Sequence, residues 1–171
     1  DEFRESDYFT LDQLERVKEL FSEEIAYIVP SAGTSAEGIY GRNRMQLYFQ
    51  GVDYNYNEVQ NIEIIEGRML NEADILGRKL NVVLEEKAAK KLFGSTKIIG
   101  KSFRSTIYNE TKDYYVVGVY REHVTAMMAL MQSFGEDQTG SLILPYSVLI
   151  GPSDYIMSLD LFARDGKLEQ L

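Results

Sequence analysis

The sequence holds a single histidine, His123, and no cysteine. A histidine base needs a nucleophile to serve, yet no Gly-x-Ser-x-Gly turn presents a serine to it. Without cysteine the chain has no disulfide, no thiolate nucleophile and no cysteine-ligated metal. One histidine alone does not build a zinc centre, so His123 reads as a surface position. Two carboxylates held roughly 5–10 Å apart in a cleft are another route to catalysis, as in glycoside hydrolysis. Asp53, Glu58, Glu63, Glu66 and Asp74 are candidates, but an acidic chain always offers such residues and no signature pairs these. Asp53–Asn57 has the start of a calcium loop without its glycine or closing glutamate. Gly33 and Gly38 have the spacing of phosphate-binding glycines, but Ile39 stands where such a loop needs lysine. These residues point to a chain that is not an enzyme and carries no cofactor or metal.

The remaining candidates are apolar. Met127, Met128 and Met131, with Val124 and Phe134, fall near one stripe of a helix expected over residues 122–133. Such a stripe packs on a sheet, or it forms an adaptable apolar surface for a peptide-like cargo or a partner protein. Met127, Met128, Met131 and Phe134 are therefore the candidate partner or cargo surface. Asn109-Glu110-Thr111 is a glycosylation sequon at an expected hairpin tip.

The elements that must position these residues belong to an ordinary globular chain. Its 171 residues are 44% apolar and 26% charged, enough for a real core. A net charge of -9 argues against nucleic acid as the partner, because phosphate binding needs a surplus of Lys and Arg. The charge is uneven: residues 1–24 carry a net -6 and residues 78–104 a net +6, read as two solvated faces. No apolar run approaches the roughly 18–20 residues of a membrane span, and no leader segment is expected at the start.

Thr10 and Gln13 form a capping box ahead of Leu11, Leu14, Val17, Leu20 and Phe21, a helical stripe. Ile25–Val29 reads as a strand stopped by Pro30, and residues 31–43 as a connection. Met45, Leu47 and Phe49 alternate with Gln46, Tyr48 and Gln50, the pattern of a half-buried strand. Residues 51–77 read as irregular, with a helical turn after Asn71. Leu80–Leu84 is a buried strand, followed by a helix over Glu85–Phe93 with a Glu86–Lys90 pair and a terminal Gly94. Lys101–Ile107 and Tyr114–Tyr120 form a hairpin around Asn109–Lys112. Ser141–Leu144 and Ile156–Ala163 are strands, and Gly166–Leu171 starts a helix.

From Gly51 onward the pieces occur in a distinctive order. GVDYNYNEVQNIEIIEGRMLNEAD is followed by LNVVLEEKAAKKLFG, IIGKSF and DYYVVGV, and later by SLILPY. This order resembles the extracytoplasmic core domain of MacB/FtsX-type ABC-transporter permeases. Gly51, Gly67, Gly94 and Gly100 suit positive φ or close backbone approach. Phe93 is expected as a core anchor, and an Arg68–Asp74 pair as a staple across the turn.

The resemblance implies an α+β fold with a porter-like βαβ subdomain built from both chain ends, residues 1–32 and 141–171. A smaller α+β subdomain, residues 33–140, would be inserted between them. It also implies one transmembrane helix before Asp1 and three after Leu171, tethering the domain on the extracytoplasmic side of the cell membrane. The expected partners are an ABC ATPase subunit or domain, a second permease copy and an adaptor protein. The implied role couples cytoplasmic ATP hydrolysis to export of a peptide, lipid or drug-like cargo, or to motion of a partner. The alternative is a regulatory domain that senses a peptide or activates a cell-wall hydrolase.

Overall fold

The computed structural model describes residues 9–23, 25–60, 62–123, 139–150, 155–156 and 158–163. A short strand β1 (Phe9–Thr10) leads directly into helix α1 (Leu11–Leu20). The Thr10 hydroxyl accepts from the Gln13 amide at 3.2 Å, and the Gln13 side chain accepts from the Thr10 amide at 2.9 Å. The helix starts there because two otherwise orphaned amides are satisfied reciprocally. Its stripe buries Leu14 and half-buries Val17, whereas Leu20 and Phe21 are 66% and 43% exposed. The stripe expected from the spacing is thus only partly a core stripe.

Strand β2 (Ile25–Tyr40) corrects the sequence reading most strongly. Pro30 does not stop it, and residues 31–40, read as a connection, continue the strand. Pro30 pairs with Leu159 of β10 (Ser158–Ala163), while pairing to β3 (Asn43–Val52) begins only at Ala32. One side of the strand has no ladder with β3 at Pro30, which is where a residue without an amide hydrogen is tolerated. The small residues that looked like linker allow close packing instead. A Cβ on Gly38 would lie 2.5 Å from a methyl of Leu47.

Helix α2 (Tyr56–Val59) and strand β4 (Ile62–Gly67) occupy a region read as irregular. Helix α3 (Glu72–Leu76) starts at Asn71 as expected, again with a capping box. Strand β5 (Asn81–Glu85) leads into α4 (Glu86–Phe93), which buries Ala88, Ala89 and Leu92 and ends at Gly94 in the left-handed region. The hairpin of β6 (Ser102–Ile107) and β7 (Glu110–Glu122) turns at Tyr108-Asn109, two residues rather than the expected four. Strand β8 (Gly140–Pro145), helix α5 (Tyr146–Leu149) and strand β9 (Tyr155–Ile156) complete the described elements. Gly67, Gly94 and Gly100 have φ of 68°, 77° and 84°, and a Cβ on Gly51 would lie 2.9 Å from the Tyr146 Cα.

The mixed sheet runs β10-β2-β3-β8-β5-β7-β4, and β6 pairs with both β2 and β7. The pairings β2-β3-β8-β5-β7-β6 therefore return to β2 and close a circuit. Closure removes exposed strand edges. Leu142 and Leu144 of β8 face one core with Leu47, Phe49, Phe103 and Tyr114, while Ile143 faces a second with Leu14, Val52, Ile75 and Tyr120. This alternation puts β8 at the centre of both. The chain ends meet through β1–β9 and β2–β10. β2 passes unbroken through residues 32 and 33, and β8 sits between β3 and β5. The architecture is α+β.

Candidate functional site

Helix α1 meets the body at a mixed contact. Lys18 Nζ lies 3.0 Å from Asp53 Oδ2, and the Tyr54 amide donates to Asp53 Oδ1 at 2.9 Å. Asp53 is 3% exposed at the end of β3, so its charge is held by a lysine that remains partly in water. Nearby, burial pushes the Tyr146 phenol up to about 12, helped by the negative charges of Asp53 and Glu15. Lys18 thus joins the first helix to a buried anion in the main body.

The other acids named from the sequence are structural where the structure describes them. Arg68 grips Asp74 with contacts of 2.6 and 3.3 Å, and Asn81 donates to the same carboxylate at 2.9 Å. Burial opposes ionisation of Asp74, but Arg68, the Asn71 amide and Asn81 outweigh it and lower the pKa to about 2. Glu66 pairs with Lys97. His123 is an exposed residue whose Nε2 lies 3.9 Å from Glu63, and Arg121 lies 3.7 Å from the same carboxylate. No two of these acids face each other across a cleft among the described contacts. The side chain of Glu58 lies outside the described residues.

A cavity of about 460 Å³ opens between the β6–β7 hairpin and α5. Ile107, Tyr114 and Leu149 form an apolar floor that belongs to the core. Arg78, Tyr108, Glu110 and Lys112, all exposed, also line it. The walls are tied together, because the Ser147 hydroxyl donates to the Ile75 carbonyl at 2.6 Å, joining α5 to α3 beside Arg78. Arg78 and Tyr108 both have positive φ, 46° and 51°. The sequence reading missed this cavity. Its only local signal was a tyrosine in a two-residue turn that favours Asn or Gly.

Met127, Met128, Met131 and Phe134, the surface expected from the sequence, lie outside the described residues. Strand β7 runs as far as Glu122, the position where that helix was expected to begin. The helical start expected at Gly166–Leu171 lies outside them too. Among the described residues no helix is long and apolar enough to cross a membrane.

The profile of the MacB-like periplasmic core domain matches residues 2–168. The macrolide export ATP-binding/permease protein MacB 1/2 of Paracoccus denitrificans (strain Pd 1222) is 32% identical over 79 residues, covering 46% of this chain and 12% of that protein. The chain therefore matches only a small part of that relative's length. Among solved structures, the extracellular domain of the noncanonic ABC-type transporter YknZ from Gram-positive bacteria superposes with a TM-score of 0.73 at 19% identity, covering 96% of this chain and 78% of that one. The periplasmic region of MacB from Actinobacillus actinomycetemcomitans gives 0.65 at 22% identity, covering 90% and 65%. At these identities the structural likeness concerns the fold, which agrees with the profile over nearly the whole chain. The chain belongs to the MacB-like periplasmic core domain family, and is an extracytoplasmic domain of a MacB/FtsX-type ABC-transporter permease.

Proposed function

We propose that this domain converts ATP-driven motion of the permease into movement outside the membrane. That movement exports a peptide, lipid or drug-like cargo, or shifts a partner protein. The observation that carries this reading is the pairing of both chain ends with each other. β1 pairs with β9 and β2 with β10, and β2 then continues into the closed circuit of strands. Force applied at either end passes into hydrogen-bonded ladders that deform little, instead of being lost in loose connections. In this reading the ends form the porter-like part (residues 1–32 and 141–171) and residues 33–140 the inserted part, which meets cargo or an adaptor. A second permease copy and an ABC ATPase complete the machine.

The test uses the full-length permease with its ATPase, reconstituted in liposomes. Because this domain contains no cysteine, a spin label at an exposed position such as Leu76→Cys reports the distance between two copies. ATP with vanadate should shift that distance distribution relative to the nucleotide-free state. An identical distribution in both states would overturn the coupling reading.

A further inference from the structure

We propose that the cavity between the β6–β7 hairpin and α5 binds an uncharged amphiphile, an aliphatic body with a hydroxyl head. Its volume of about 460 Å³ lies within the roughly 300–1,000 Å³ of ordinary small-molecule sites. Tyr114, Lys112 and Glu110 alternate along β7, so they line the cavity from one face of that strand. Exposure rises in that order: Tyr114 is buried, whereas the Lys112 and Glu110 side chains are 42% and 67% exposed. Ile107 and Leu149, both buried, complete the apolar part. The lining is graded from apolar to polar, as an amphiphile requires.

The charges on this lining argue against an ionic head. Lys112 and Glu110 pair with each other at 2.6 Å, and that contact holds the Glu110 carboxyl below its ordinary range. Arg78 is engaged in an interaction of its own. A carboxylate head would have to draw Lys112 away from Glu110, and an ammonium head would have to draw Glu110 away from Lys112. A hydroxyl can donate to the carboxylate while the pair stays closed, because an ionised carboxyl accepts several hydrogen bonds at once.

The backbone gives an independent reason to regard this as a site. Three non-glycine residues among those described have positive φ, and two of them, Arg78 and Tyr108, line this cavity. Left-handed backbone is costly for a bulky side chain, and such strain collects at ligand sites. Tyr108 opens a two-residue turn whose geometry favours Asn, Asp or Gly. Tyr108 is 63% exposed, so burial in the core does not explain the choice of tyrosine. An aromatic surface for an aliphatic body does.

The inference does not rest on the transport reading, because binding is measured on the 171-residue chain by itself. Calorimetry would titrate octanol, octanoate and octyltrimethylammonium, which differ chiefly in the charge of the head. Octanol should bind at one saturable site, and both ions about tenfold more weakly, the size of one charged contact disrupted. Glu110→Gln takes the carboxylate away from Lys112 and should raise octanoate affinity at least to that of octanol. Val148→Phe, which fills the cavity from α5, should abolish octanol binding with the melting temperature kept. Tyr108→Asn should weaken octanol several-fold while leaving the melting temperature unchanged or higher, since the turn is relieved. The site is refuted if octanol gives no saturable heat, if either ion binds the natural chain as tightly, or if Val148→Phe leaves octanol affinity intact. Should Val148→Phe fail to fold, Tyr108→Asn decides, and unchanged octanol affinity in that variant refutes the site as well.

Discussion

Both carboxylate oxygens of Asp74 are held by the guanidinium of Arg68, at 2.6 and 3.3 Å, although Asp74 is fully buried and Arg68 is about half exposed. The pair closes the turn between β4 and α3. Asp74 also accepts from the Asn71 amide and the Asn81 side chain, so one carboxylate caps a helix and anchors the start of β5.

This arrangement makes stability pH-dependent. The folded pKa of Asp74 is about 2 against an ordinary 3.8, so its contribution is full above about pH 4 and is lost as pH falls toward 2. Glu86, bonded to Arg121 and Lys90, is also lowered to about 2 and acts in the same direction. Urea midpoints measured between pH 2 and pH 6 should fall on the acid side in the natural chain. Asp74→Asn should cost about 2 kcal/mol at pH 7 and flatten the acid limb. An acid limb unchanged in that variant would show that Asp74 is not responsible.

Two glycines separate steric need from conformational need. A Cβ on Gly118 would lie 2.1 Å from the Arg68 carbonyl oxygen, whereas nothing lies within 4 Å of one on Gly94, whose φ is 77°. Gly94→Ala should cost about 1 kcal/mol, the backbone term alone. Gly118→Ala forces backbone apart in the central sheet and should cost about 3 kcal/mol or more. Equal losses by chemical denaturation would contradict this distinction.

The Arg68–Asp74 staple and the four glycines were legible because they depend on local geometry. The capping box of α1 was legible for the same reason, since donor and acceptor lie three residues apart, and so was the helical start after Asn71, though not its own capping box. The long β2 was not, since Pro30 and the small residues after it are acceptable only because of what their neighbours do. Pro30 has no ladder with β3, and Gly38 must admit Leu47. Nor does spacing within β4 or β6 say that β6 pairs on both sides and closes the circuit. The cavity was invisible for a related reason, as Arg78, Tyr108 and Leu149 are brought together only by three separate connections.

The methionine stripe remains a specific expectation. Replacing Met127, Met128 and Met131 by Ser together should leave the melting temperature nearly unchanged and impair transport or signalling by the full permease, as expected of an adaptable surface. If these residues were core, each truncation would cost on the order of 2 kcal/mol and the triple variant would scarcely fold. A melting curve taken before any functional assay separates the two outcomes.

The Lys18–Asp53 pair carries the last prediction, because it joins α1 to the main body. Lys18→Met keeps most of the aliphatic stem but leaves the Asp53 carboxylate, 3% exposed, with the Tyr54 amide as its remaining partner among the described residues. Breaking a buried pair from one side costs several kcal/mol, but Lys18 is 40% exposed and water replaces part of the interaction. The expected loss is therefore about 1–2 kcal/mol. Lys18→Arg should retain most of the stability, since charge and reach are kept. Adding Asp53→Asn to Lys18→Met should recover part of the loss, because the unpaired charge is then gone. In the full permease, Lys18→Met should leave ATP hydrolysis near normal at a temperature where the domain is folded, yet reduce transport or partner activation. That split is expected only if α1 transmits motion through this contact. Should transport stay normal while stability falls as predicted, Lys18 is an anchor for α1 and the motion enters the sheet through β2 and β10 instead.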